Sequence, residues 1–366
     1  MGKEEKSKGS LKVNKGIEQP PSVNPDSMDA FRGRRRNKIS PAVLKEGILK
    51  GSISHLSQAI TLIESSLGEH QDMAMELVEG CLPFSGKSVR IGITGVPGVG
   101  KSTFIESFGG MLTDRGSRVA VLAVDPSSRL TSGSILGDKT RMERLSADPS
   151  AFIRPSPSGG SLGGVAKKTR ESIILCEAAG FDTIIIETVG VGQSETAVKS
   201  MVDFFLLLML AGAGDELQGI KRGIMEMADG LAITKSDGNN VARTGIAKTQ
   251  YENALHLYPP PPSGWKPRVQ TCSAVTGEGL DDIYETLRNY LDFTRKSGFF
   301  SKNRKEQSVY WMRESIDLQL KEGFYNDPHI SDELGKIIPG VTEGKISSSM
   351  AARELLMKYL DKREKI

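Results

Sequence analysis

The sequence predicts a doubly wound α/β domain with a mostly parallel sheet, extended by helices at both ends. Three observations lead there. From residue 88 onward, short apolar, β-branched runs alternate with helical stretches. Those runs are apolar almost throughout, as strands buried on both faces are, and do not alternate in and out. Before residue 88 and after residue 300 the strand pattern is missing and apolar residues recur at helical spacing. The boundaries read as a tail over 1–40, N-terminal helices over 41–87, the α/β domain over 88–300 and a helical C-terminal segment over 301–366.

Taken in order, residues 1–40 are rich in Pro, Ser and Lys with no apolar period, the composition of a disordered segment. Residues 1–50 hold twelve Lys/Arg against six Asp/Glu, so this end is basic in a chain of net charge +3. The cluster Arg32, Arg34, Arg35, Arg36 and Lys38 reads as a solvated tail, and neither nucleic acid nor a membrane is expected as partner. Ser52 is placed to cap a helix whose face is Ile53, Leu56, Ile60, Ile63 and Leu67. A second helix is expected over 71–80, both covering one side of the core. The strands follow as Val89–Thr94, Val119–Val124, Thr183–Glu187, Phe204–Leu210, Gly230–Thr234 and Arg268–Ser273, with crossover helices such as 102–114 and 167–179. Pro259–Pro262 is a loop. Beyond residue 300, Val309, Met312, Ile316 and Leu320 mark one helical face and Ala352, Leu355, Leu356 and Tyr359 another, punctuated by Pro328 and by Pro339-Gly340. This appendage fits either a dimerisation arm or a lid on the core.

Composition narrows the class. With 38% hydrophobic and 25% charged residues the chain suits a soluble globular protein. The longest apolar run, Phe204–Leu210, is far short of the roughly 20 residues of a membrane span. Cys81, Cys176 and Cys272 are scattered and odd in number, implying no disulfide framework and a reducing, cytoplasmic setting. Neither they nor the four histidines show metal-ligand spacing.

Gly95-Val-Pro97-Gly98-Val99-Gly100-Lys101-Ser102, followed by Thr103, matches the phosphate-binding G-x-x-x-x-G-K-[ST] loop in full, between a strand and a helix. The glycines let backbone N–H groups wrap phosphates, Lys101 reaches the β- and γ-phosphates, and Ser102 is placed to ligate Mg²⁺. Thr183–Glu187 ends a strand in a carboxylate suited to holding Mg²⁺ through water. Gly190, three residues on, can offer its N–H to a γ-phosphate. Thr234-Lys235-Ser236-Asp237 resembles the guanine-reading N-K-x-D element. Asp237 would accept from guanine N1–H and N2–H₂, donors that adenine lacks, and Lys235 would lie along the base. Thr234 stands where Asn is usual, removing an amide that could brace the loop. Ser273-Ala274-Val275 closes the next strand as the element that packs under guanine. GTP or GDP is therefore the expected ligand, and GTP hydrolysis the expected reaction.

The segments Val124–Ser128, Gly137–Met142, Glu187–Glu195 and Gly214–Glu226 resemble the MeaB/MMAA/ArgK family, GTPase chaperones of adenosylcobalamin-dependent methylmalonyl-CoA mutase. The resemblance covers about residues 45–360. It implies a P-loop GTPase domain of the signal-recognition-particle/MinD-like class, N-terminal helices and a C-terminal dimerisation arm. It further implies a homodimer of low intrinsic GTPase activity that binds the mutase, gates adenosylcobalamin delivery and protects or rescues the mutase; the cofactor is reached only through that partner. Asp125 and Asp138 would approach Mg²⁺ and the attacking water. Gln193 and Glu195 would belong to a second switch, and Lys221, in a third switch over Asp215–Lys221, would swing toward the nucleotide. Three other functions compete. A metallochaperone GTPase would need clustered Cys or His, a kinase or ATPase serving amino-acid transport is opposed by Asp237, and a nucleotide-gated scaffold would show negligible hydrolysis.

Overall fold

In the computed structural model of the chain, the structure describes residues 40–124, 142–155, 162–188, 194–212 and 222–363. The basic tail lies almost wholly outside them. Seven strands form one sheet: β1 (Val89–Gly95), β2 (Val119–Val124), β3 (Ala151–Arg154), β4 (Thr183–Thr188), β5 (Phe204–Met209), β6 (Gly230–Ile233) and β7 (Arg268–Thr271), in the order β3-β2-β4-β1-β5-β6-β7. Every pairing is parallel. The chain winds one way from β1 to reach β2, β3 and β4, and the other way to reach β5, β6 and β7. Strand order therefore reverses at β1, where a doubly wound sheet opens its ligand crevice at the strands' C-terminal ends.

The apolar runs are explained by burial on both faces. On β5, Phe204, Leu206 and Leu208 pack with α4 (Lys101–Asp114) and α10 (Leu280–Lys296), through Phe104, Ile105, Phe108, Leu280 and Ile283. Phe205 faces the opposite layer with α6 (Leu162–Ala178), and Leu207 and Met209 pack there with α9 (Val241–Leu255). Among the described residues, the domain's other short α-helices are α5 (Glu143–Ala147), α7 (Ser194–Lys199) and α8 (Arg222–Met227).

Among the described residues, three N-terminal helices, α1 (Pro41–Leu49), α2 (Ile53–Glu64) and α3 (Gly68–Cys81), form a layer that packs on α6, burying Leu44, Ile48, Leu56, Ile60 and Leu77. Two details differ from expectation. Ser52 is extended before α2 but makes no side-chain cap; its Oγ bonds His55 Nδ1 at 2.8 Å. Leu67 lies beyond the end of α2 and is exposed, so the buried stripe closes at Ile63. Strand β3 was not anticipated, because four residues ending in Arg154 carry too little apolar pattern.

The C-terminal segment is α11 (Phe299–Tyr325), α12 (Pro328–Thr342) and α13 (Ser348–Arg363). Asp327 caps α12, accepting from the His329 and Ile330 N–H groups. Pro339 sits inside α12 and does not end it. Of the predicted faces, Leu355 and Tyr359 are buried in α13. Val309, Met312, Ile316 and Leu320 of α11 are all about half exposed, and Leu356 is exposed too. The buried side of α11 is instead Gln307 and Trp311, directed at the domain. Cys81, Cys176 and Cys272 are buried free thiols. Among the described residues no helix is long and apolar enough to cross a membrane.

Candidate nucleotide site

The site is built on the end of β1. At Gly95 a Cβ would stand 2.5 Å from the Leu208 carbonyl of the neighbouring strand, with φ at +154°, so only glycine lets β1 turn here. Gly100 adopts φ +95° as the residue before α4, so the loop ends at a helix N-terminus, the position that favours an anion. Lys101, the first residue of α4, is buried, and its Nζ donates to the carbonyls of Gly95 (2.8 Å) and Val96 (3.3 Å). Burial lowers the Lys101 pKa, and the charges of Glu187 and Glu195 oppose that shift. The ammonium is thus held on the loop's own carbonyls and feels the charge of two buried carboxylates.

Glu187 lies on β4 opposite Ile93 of β1 and Ala123 of β2. Ser102 Oγ donates to Glu187 Oε1 at 3.2 Å, so the predicted hydroxyl and carboxylate meet beside the phosphate loop. These are hard oxygen donors on rigid elements, a set that fits Mg²⁺. One step deeper, Thr188 Oγ1 bonds Thr94 Oγ1 at 2.8 Å and ties β4 to β1. Asp125, Asp138, Gly190, Gln193 and Lys221 lie outside the described residues.

The base-reading loop leaves β6 and leans directly on the phosphate loop. Thr234 Oγ1 donates to Val99 O at 2.7 Å and also approaches Met209 O at 3.3 Å. The expectation that Thr in place of Asn removes the brace is therefore corrected: the hydroxyl supplies it. Lys235, at φ +59°, is the one non-glycine residue of positive φ among the described residues, and its Nζ donates to Gly98 O at 2.9 Å. Such a conformation persists where surrounding bonds fix it, here Asn240 Nδ2 to Lys235 O (2.7 Å) and Ser236 N to Cys272 O (3.0 Å). Asp237 is half-buried and accepts from Ser273 Oγ at 2.6 Å, while the same Ser273 Oγ takes the Thr276 N–H.

Ala274 is partly buried, and its carbonyl accepts from Ser107 Oγ at 2.6 Å, fastening the last loop to α4. Ser107 was not anticipated; its signal is faint, a lone hydroxyl one helical face away from Lys101. Val275 is 83% exposed and projects from the loop. The structure thus gathers Gly95–Ser102, Glu187, Thr234, Lys235, Asp237, Ser273 and Ala274 at one edge of the sheet. The arrangement offers an amide-lined anion cradle, a central cation, a hydroxyl–carboxylate pair and an oriented carboxylate 136 residues after Lys101 in the chain.

Comparison with known proteins gives a consistent picture. The family model described as "Methylmalonyl Co-A mutase-associated GTPase MeaB" matches residues 56–328. The chain is 44% identical over 320 residues to the protein named GTPase ArgK of Escherichia coli, covering 87% of this chain and 97% of that protein. It is 45% identical over 330 residues to the mouse protein named methylmalonic aciduria type A homolog, mitochondrial, covering 87% of this chain and 79% of that one. A crystal structure described as a LAO/AO transport system kinase superposes with a TM-score of 0.70 at 37% identity, over 88% of this chain and 99% of that one.

Proposed function

Because the chain belongs to the family of methylmalonyl-CoA mutase-associated GTPases typified by MeaB, we propose that it is a slow GTPase that chaperones an adenosylcobalamin-dependent mutase, methylmalonyl-CoA mutase in the first instance. In this reading it gates cofactor delivery and protects or reactivates its partner. It acts in the cytoplasm, as a homodimer joined through α11–α13. The observation that carries the nucleotide part is the contact between the two loops: Thr234 and Lys235 bond consecutive carbonyls, Val99 and Gly98, so phosphate cradle and base reader form one unit.

The residues take the following roles. Backbone N–H groups of Pro97-distal positions Gly98–Thr103 wrap the phosphates, and Lys101 exchanges its two loop carbonyls for phosphate oxygens. Ser102 and, through water, Glu187 would hold Mg²⁺, with Asp125 and Asp138 completing the set; bound there, the ion would supply positive charge against the phosphates. Asp237 reads guanine N1–H and N2–H₂, Lys235 flanks the base, and Ser273, Ala274 and Val275 line the base edge. Gly190 and Gln193 contact the γ-phosphate side, and Lys221 supplies an additional cation when the partner is bound. Slow turnover suits a timer that biases two states.

The test is co-purification with candidate cobalamin-dependent mutases in GDP and in a non-hydrolysable GTP analogue, together with GTP turnover. Nucleotide-dependent capture and faster hydrolysis with one mutase are expected. An unchanged hydrolysis rate with every cobalamin-dependent mutase tried would remove the chaperone reading. Tighter binding of ATP than GTP would instead favour the transport-kinase reading suggested by the name of the superposed structure.

A further inference from the structure

Helix α7 begins shortly after Glu187 and ends in the turn Ser200–Asp203, which leads into β5. That turn is fastened to α11 at three successive levels. Trp311 Nε1 donates to Ser200 O at 3.0 Å. One turn earlier in α11, Gln307 Nε2 donates to Val202 O at 2.8 Å. Arg304 Nε and Nη2 then grip the two Asp203 carboxylate oxygens at 2.8 and 2.7 Å. Asp203 also accepts the Arg90 N–H at 2.8 Å, at the start of the strand that ends in the phosphate loop. From the other side, Lys199 Nζ pairs with buried Asp229 at 2.6 Å, joining α7 to the segment that follows α8.

Two features show that this joint is not uniformly tight. Gln307 is buried, yet its Oε1 has no hydrogen-bond partner among the described residues. A buried amide with its donor used and its acceptor idle is half satisfied, and native structures rarely leave such an atom unexplained. One turn further along α11, at Trp311, an open cavity of about 310 Å³ separates Thr196 and Ala197 of α7 from Tyr310, Trp311 and Glu314 of α11, with Leu162, Gly163 and Ala166 of α6 as the third wall. The Arg304 end is therefore pinned by a bidentate ion pair, while the Trp311 end has room beside it.

We propose that Gln307 and Trp311 are positioning residues through which α11 sets the placement of α7, and with it the preference of the site for GTP over GDP. Arg304 and Asp203 act as the fixed pivot. Helix α7 slides within the adjoining cavity, and a displaced Ser200–Asp203 turn can present a donor to the idle Gln307 Oε1. Coupling of this kind is reciprocal: a partner that binds α11 and changes nucleotide preference by some factor is itself bound more or less tightly by that same factor when the nucleotide is exchanged. The inference rests on the reading that the nucleotide occupies the Gly95–Thr103 loop, and it names how that site is regulated.

The test uses the full chain labelled with 5-fluorotryptophan, which gives two ¹⁹F resonances because the sequence has two tryptophans. Trp265→Phe assigns them. The Trp311 resonance is expected to move by more than its linewidth between GDP and a non-hydrolysable GTP analogue, with Mg²⁺ present in both. In parallel, Gln307→Leu is titrated with fluorescent GDP and fluorescent GTP analogue. The ratio of the two affinities is expected to change about fivefold or more, the lower end of usual coupling factors. A still Trp311 resonance in a chain shown by titration to bind both nucleotides would overturn the proposal. So would a Gln307→Leu chain that melts earlier but keeps the wild-type ratio, since that is what a merely structural residue gives. Binding of neither nucleotide by the wild-type chain would instead refute the premise, and the proposal would fall with it. If Gln307→Leu does not fold, the resonance of the unsubstituted chain decides alone.

Discussion

Asp237 has to be still before a purine arrives, because a carboxylate free to rotate would accept many donor patterns. Ser273 Oγ at 2.6 Å fixes it, and Thr276 N–H in turn orients Ser273. Replacing Asp237 with Asn removes an acceptor and the charge on two bonds worth about 1.5–3 kcal/mol each, so GDP affinity should fall at least tenfold. Calorimetric titration measures this, and inosine diphosphate, which lacks the 2-amino donor, should bind the wild-type chain more weakly than GDP. Thr234 is the second residue to probe. Thr234→Val keeps the shape but strips the Val99 carbonyl of its donor in a buried setting. A loss of about 1–3 kcal/mol in urea unfolding is expected. A still larger loss in nucleotide affinity should accompany it, since the brace sets the spacing of the two loops.

Among the elements, α6 is anchored by one carboxylate. Glu177 receives Arg90 Nε and Nη2 at 2.9 and 3.1 Å, Ser88 Oγ at 2.6 Å and the Gly86 N–H at 2.6 Å. Burial alone would raise its pKa, but Arg90 and these donors hold it below the ordinary value. A depressed carboxylate pKa contributes stability that is present above the unfolded-state value of about 4.3 and fades as pH falls through the folded-state value. Glu177→Gln should therefore cost about 3–5 kcal/mol at pH 7, the usual toll for breaking a buried ion pair, and progressively less below pH 4. Urea melts at both pH values check it. Such anchors explain what sequence could and could not reveal. Strands β2, β4, β5 and β6 were legible because burial on both faces leaves a continuous apolar run, β1 and β7 carry shorter apolar stretches, and the phosphate loop was legible because its glycines and lysine have fixed spacing. Arg90–Glu177 and Arg304–Asp203 join residues 87 and 101 positions apart, and nothing in local periodicity records such pairs. The Thr234 brace was hidden for a related reason: a hydroxyl can replace an amide only if the partner carbonyl lies at the right height, which is a tertiary fact. On α11 the apolar spacing was read correctly as a helix face, but the face buried in the monomer is the polar-aromatic one of Gln307 and Trp311.

For the molecule as a whole, that leftover face matters. Met312, Ile316 and Leu320 continue toward an apolar groove of about 540 Å³ between α11, α12 and α13, lined by Leu320, Phe324, Ile338 and Leu356 among others. An exposed apolar face that runs on into a groove is the kind of surface that association would cover. If the proposed homodimer forms through this face, the wild-type chain should scatter light as a dimer and Ile316→Glu combined with Leu320→Glu as a monomer, with the melting of the α/β domain left intact. The three sulfhydryls carry a different implication. Burial raises the pKa of each, that of Cys272 to about 12, so the folded chain offers alkylating reagents almost no thiolate. Each cysteine thus becomes a clock that starts only when its own layer opens: Cys81 in the N-terminal helices, Cys176 behind the sheet, Cys272 beside the base-reading loop. Mass spectrometry of timed alkylation should show added guanine nucleotide slowing Cys272 far more than Cys81, giving a map of which layers breathe together.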